Sequence, residues 1–159
     1  MATSFDTVYD LFFKRVINDP DFFQYTNVPE AEVLALMETN AFDYMIESIS
    51  TIKLNSEPEV DFDDYDTGTE EFNFYMTKTE LQLMAGLMFE KFLSRDRAKL
   101  RIYNKYFTTN EINMFSPAEE RRTFISMLTG LETINVRLLK SYNSRDRLTG
   151  SLKSYSGVV

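Results

Sequence analysis

The chain has 159 residues, 43% of them hydrophobic and 14% aromatic, enough for one domain with a real core and too much for wholesale disorder. It holds neither Cys nor His, which excludes disulfides, thiolate metal sites, Cys/His and Ser/His nucleophile pairs, and the commonest general base and transition-metal ligand. The net charge of −8 joins two unlike parts: residues 1–90 carry 19 acidic and 4 basic side chains, residues 91–159 carry 6 acidic and 13 basic. Repulsion within each part is relieved by setting one against the other, inside one molecule or head-to-tail between copies.

The opening Met-Ala-Thr-Ser-Phe-Asp lacks a basic n-region, and no apolar run approaches the roughly 20 residues that span a bilayer, so a soluble, cytoplasmic product is expected. Ser4 suits an N-cap, with Asp6 in the first turn. Phe5, Val8, Tyr9, Leu11, Phe12, Phe13, Val16 and Ile17 then give a helix with a wide apolar face, stopped by Asn18-Asp19-Pro20. Phe22, Phe23 and Tyr25 are expected to plug a groove. A second helix follows Pro29, with Val33, Leu34, Leu36, Met37, Ala41, Tyr44, Met45, Ile49 and Ile52 at helical spacing to about Asn55 and a bend expected at Asn40.

After Pro58 the period changes to alternation on either side of a turn containing Gly68, the pattern of a β-hairpin with an acidic outer face. Thr77 or Thr79 caps the longest helical pattern, apolar nearly all round from Leu81 to Leu93 and then basic from Lys91 to Lys105. Residues 108–116 read as a loop. Ser116-Pro117-Ala118-Glu119 opens a last helix, whose Gly130 suggests close helix approach. From Ser144 the pattern stops.

These elements predict a mainly α protein: a helical bundle of about four helices with one acidic β-hairpin insertion and an extended C-terminal tail. Residues 1–143 form a single helical domain, with the hairpin at about 59–76, and residues 144–159 an extended arm. The arm has two open readings, plain terminal disorder or a segment that orders on a partner.

The acids Asp61, Asp63, Asp64, Asp66, Glu70 and Glu71 invite a calcium reading. An EF-hand loop needs an oxygen ligand at position 5 and Gly at position 6; starting at Asp61 these are Tyr65 and Asp66, and starting at Asp64 they are Gly68 and Thr69. Neither frame fits, so the cluster reads as a solvated face, with adventitious weak Ca²⁺ or Mg²⁺ binding as the alternative, or as a face that docks on a basic partner. No metal site, cofactor or catalytic residue is expected. Five scattered glycines form no phosphate loop, and the paired carboxylates lack an apolar pocket to separate their pKa values. The rows Lys91-Arg95-Lys99 and Arg97-Arg101-Lys105 raise a nucleic-acid surface, which the overall negative charge opposes.

The run Thr79-Glu80-Leu81, Leu83-Met84-Ala85 and Leu87-Met88, followed by the basic segment, Phe107, Met114-Phe115-Ser116 and Arg121–Leu131, resembles small proteins of the head–tail module of tailed bacteriophages of Gram-positive hosts. So does the opening Ser4-Phe5-Asp6-Thr7-Val8-Tyr9-Asp10-Leu11-Phe12. The resemblance implies a virion structural protein, a head–tail connector (adaptor or neck) subunit without enzymatic activity. It implies a homo-oligomeric ring, twelve-fold in that family, between the portal and the tail or next connector ring. Genomic DNA would pass through the channel without specific binding, past a lumen face for which the acidic hairpin is the candidate. Such a protein resides in the virion neck, and in the host cytoplasm during assembly. In that frame Arg145, Arg147, Leu148, Leu152 and Tyr155 are expected to dock the portal, and Arg95, Arg97 and Arg101 to meet acids of an adjacent copy. The alternatives are an assembly chaperone absent from mature particles and a small regulator that binds through Lys91–Lys105.

Overall fold

The computed structural model describes residues 2–17, 30–107 and 117–154, with the backbone alone at 16, 96–107, 117–121, 123 and 124. The elements are β1 (Thr3–Ser4), α1 (Phe5–Ile17), α2 (Glu30–Asn55), β2 (Tyr65–Asp66), β3 (Glu71–Phe72), α3 (Lys78–Phe107) and α4 (Pro117–Asn143). The expectations for Phe22, Phe23, Tyr25, residues 108–116 and the Ser116 cap lie outside the described residues.

Helix α1 begins where the amide of Asp6 donates to Ser4 Oγ at 3.2 Å, satisfying one of the first-turn N–H groups that has no carbonyl partner. It ends with Lys14 and Arg15 in the last turn, where the helix dipole favours cations. Phe5, Val8 and Phe12 form its buried stripe. Helix α2 is continuous through Asn40, whose Nδ2 donates back to the Leu36 carbonyl at 2.9 Å.

Helix α3 is the hub, with α1, α2 and α4 all packed against it. This is why Leu83, Met84, Ala85, Leu87, Met88, Phe89, Phe92 and Leu93 are all buried rather than sorted onto one face. Phe12, Tyr44 and Phe92 meet edge to face at 5.9 to 6.2 Å where α1, α2 and α3 converge. Burial of each such side chain stabilises the fold by about 1.5–3 kcal/mol. The close approach expected at Gly130 is absent, since nothing lies within 4 Å of the place a Cβ would take there. It occurs at Gly86 instead. A Cβ there would stand 2.6 Å from Asn135 Oδ1 and 3.2 Å from an Arg15 Nη atom, so only glycine lets α4 and the end of α1 come this near.

The hairpin expectation needs correction. The strands form a three-stranded antiparallel sheet in the order β1-β3-β2, with Phe72 opposite both Thr3 and Tyr65 and Glu71 opposite both Ser4 and Asp66. A hairpin alone would leave β3 an open edge; the amino-terminal strand covers it, and Phe5 packs on Phe72 at 5.1 Å. The pairing is also far shorter than alternation implied. Asp61 turns the chain, accepting the Asp63 amide on Oδ1 and the Asp64 amide on its carbonyl, both at 3.0 Å, which confines β2 to two residues.

The extended tail is corrected too. Residues 144–153 turn back on themselves. The amide of Asp146 donates to the Ser151 carbonyl at 2.8 Å, that of Lys153 to the Ser144 carbonyl at 2.9 Å, and Arg145 and Leu152 pair as an antiparallel bridge.

Candidate interaction site

The most constrained polar cluster in the described residues joins this carboxy-terminal turn to the start of α3. Thr77 and Glu80 form a reciprocal cap: the Glu80 amide donates to Thr77 Oγ1 at 3.3 Å and the Thr77 amide to Glu80 Oε2 at 2.7 Å. Unlike most capping glutamates, Glu80 is fully buried. Its carboxylate accepts three further bonds, from Tyr142 Oη at 3.0 Å, Arg147 Nε at 2.6 Å and Arg147 Nη2 at 3.1 Å. The arginine grips both oxygens, a charge-assisted geometry in which the buried anion has its counter-ion and its lone pairs filled. Arg147 also donates to the Tyr75 carbonyl and lies over the Phe74 ring at 5.7 Å. Burial, then the charge of Glu80 and its hydrogen bond, push the Tyr142 phenol well above its ordinary pKa.

The turn that presents Arg147 is built locally. Asp146 Oδ1 accepts from the amides of Leu148 at 3.1 Å and Thr149 at 2.7 Å and from the Thr149 hydroxyl at 2.7 Å, and this bonding lowers the Asp146 pKa. Gly150 takes φ of +69°, a left-handed conformation that favours glycine. Outlying bonds reinforce the closure: Lys153 Nζ to Glu59 at 2.9 Å, and the Glu57 amide to Asn143 Oδ1 at 3.0 Å.

The arm residues therefore divide. Arg147 is turned inward, Arg145 Nη1 donates to the Gly150 carbonyl at 2.8 Å, and Leu148 and Leu152 stand 76% and 69% exposed. Tyr155 lies outside the described residues. Glu80, the residue that organises the turn, was missed as a site in the sequence; its signal is the Thr77-Lys78-Thr79-Glu80 capping box.

Arg95 meets acids of the amino-terminal half, and they belong to its own chain. It contacts Asp43 at 3.2 Å and Glu47 at 3.4 Å and lies 5.6 Å from the centre of the Tyr44 ring. The side chains of Arg97 and Arg101 lie outside the described residues. The acids of the loop are spread over local tasks. Lys53 bridges Asp61 and Asp63, Asp64 accepts from Asn73 Nδ2 at 2.7 Å, Asp66 accepts the Gly68 amide at 2.7 Å, and Glu71 pairs in β3. Glu70 adopts a left-handed φ of 56° while its carbonyl accepts the Phe5 amide at 2.9 Å. Among the described residues no group of three or more carboxylates is placed to hold a metal ion, and no helix is long and apolar enough to cross a membrane.

A shallow groove of about 370 Å³ lies over the end of α1, lined by Leu11, Lys14, Arg15, Gln82 and Ala85. Arg15, one of its lining residues, donates to the Gln82 carbonyl at 2.9 Å. No protein-family model, curated protein or solved structure matches this chain.

Proposed function

We propose that the protein is a structural, ring-forming connector subunit of a phage neck, joining the portal to the tail or to the next connector ring. The observation that supports this reading is the carboxy-terminal turn: a buried ion pair holds it down while Leu148 and Leu152 face solvent. A preformed apolar contact of this kind docks on a portal with little ordering cost. The two-signed charge of the chain suits unlike neighbouring faces in a ring, and the acids between Asp61 and Glu71 suit a surface past which DNA slides without adhering. Quantitative mass spectrometry of purified virions tests the reading. About one copy per portal subunit is expected of a neck ring; absence from the particle overturns it in favour of an assembly chaperone or a regulator.

A further inference from the structure

A half-exposed aromatic face lies where α1, α2 and the sheet meet. Phe42, 40% exposed, stands 6.1 Å from Phe5 and 6.4 Å from Tyr65, and Tyr9 stands 6.3 Å from Phe5. Carboxylates rim it. Asp6 and Glu70 lie near enough to the Tyr9 phenol that their charges join burial in raising its pKa to about 12. Glu38 is exposed one helical turn before Phe42 on the same face of α2. The chain already shows what such a surface takes. On the neighbouring stripe of α2, Arg95 lies over the Tyr44 ring with Asp43 and Glu47 around it.

The matching cations lie on the outer face of α4, which packs chiefly against α3. Arg122, Arg137 and Lys140 are exposed there, Lys140 about five turns beyond Arg122 on the same azimuth. Ser126, Thr129 and Thr133 lie between them, and Ile125 and Val136, 44% and 47% exposed, line one flank together with the exposed Glu132. Asn135, Leu139 and Tyr142 are the buried side of the same helix, so this basic stripe points away from the molecule.

We propose that the aromatic, acid-rimmed face of one copy binds the basic outer face of α4 of a second copy. It is the charge complementarity of the two that selects the occupant, and the proposal rests on the self-assembling part of the connector reading. In such a head-to-tail, heterologous contact each copy uses one of its two faces and keeps the other, so the pair retains one free face of each kind for the next copy. Arg95 has no part in it, being occupied within its own chain.

Sedimentation velocity of the full chain at low and high salt tests the proposal. The expected result is self-association at low salt that salt dissolves, weakened about tenfold or more by Phe42→Lys and by the pair Arg137→Glu and Lys140→Glu. An equimolar mixture of these two variants should stop at a dimer, since each supplies only one working face. Glu38→Lys and Val136→Glu, both at exposed positions, repeat the test with no burden on folding. Absence of association, or association unchanged in the α4 variants, overturns the proposal. The virion measurement is independent. A chain present in particles whose face variants still assemble fails here alone, and one that associates through these faces yet is absent from particles fails the connector reading alone.

Discussion

Arg95 and Arg147 use the same chemistry at two depths. Each sets its guanidinium 5.6 to 5.7 Å from an aromatic ring centre and reaches carboxylates of the amino-terminal half. The Arg95 side chain is 38% exposed and its partners Asp43 and Glu47 are 57% and 47% exposed, whereas Arg147 is 12% exposed and Glu80 not at all. Water competes for the first pair, and salt screens it. The Glu80 carboxylate is closed off from bulk solvent, so its four hydrogen bonds and its counter-ion come from the protein. The contrast shows why one arginine decorates a helix face and the other fixes the course of the chain.

The strongest way to break the contrast is Arg147→Ala. Stranding a buried carboxylate costs about 3–5 kcal/mol, more than local contacts hold a terminal turn with, so the turn should lift and let water reach Glu80. Amide exchange at Thr149, Gly150 and Lys153 should then become unprotected while Leu87 and Met88 in α3 stay protected. Full protection of the turn in this variant would contradict the role given to Arg147. Tyr142→Phe removes one donor to a charged acceptor, with an expected loss of about 1.5–3 kcal/mol in denaturant unfolding.

That substitution also sharpens the comparison through pH. An unfolded tyrosine ionises near pH 10, while Tyr9 holds its proton to about 12 and Tyr142 holds its own well above the ordinary value. A folded pKa raised in this way contributes stability that is whole below about pH 10 and is lost as the pH climbs above it. The urea midpoint should therefore fall between about pH 10 and pH 12, and less steeply in Tyr142→Phe. Arg95→Ala is the smallest effect: about 1 kcal/mol or less, shrinking further at high salt. A large, salt-insensitive loss at Arg95 would erase the distinction between the two sites.

Helix positions were legible because periodicity and caps are local. The Ser4 cap, the all-round apolar run of α3 and the inward residues of α2 can each be read within a few turns of sequence. What escaped depends on residues distant in the chain. Nothing within the 59–76 region announces that Thr3 will pair with Phe72. Nothing near Gly86 distinguishes it from Gly130 until Asn135 arrives opposite. The carboxy-terminal turn carried a readable signature, Asp146 with Gly150 four residues on, yet sparse apolar residues and basic charge pointed to an open arm. The inward turn of Arg147 rests on a buried acid 67 positions earlier. The same holds for Glu80, whose capping role is visible in the sequence and whose second role waits on the fold.

Both ends of the described fold are fastened to one short link. Thr3 Oγ1 accepts the buried Met76 amide at 2.8 Å, and Arg147 binds the Tyr75 carbonyl and Glu80. Tension entering at the amino-terminal strand and leaving at the carboxy-terminal turn is thus carried across residues 75–80. Of the helices only the first turn of α3 lies on that path, so a pull between partners held at the two ends would load the link, with the buried Met76 in it, before the rest of the helical core.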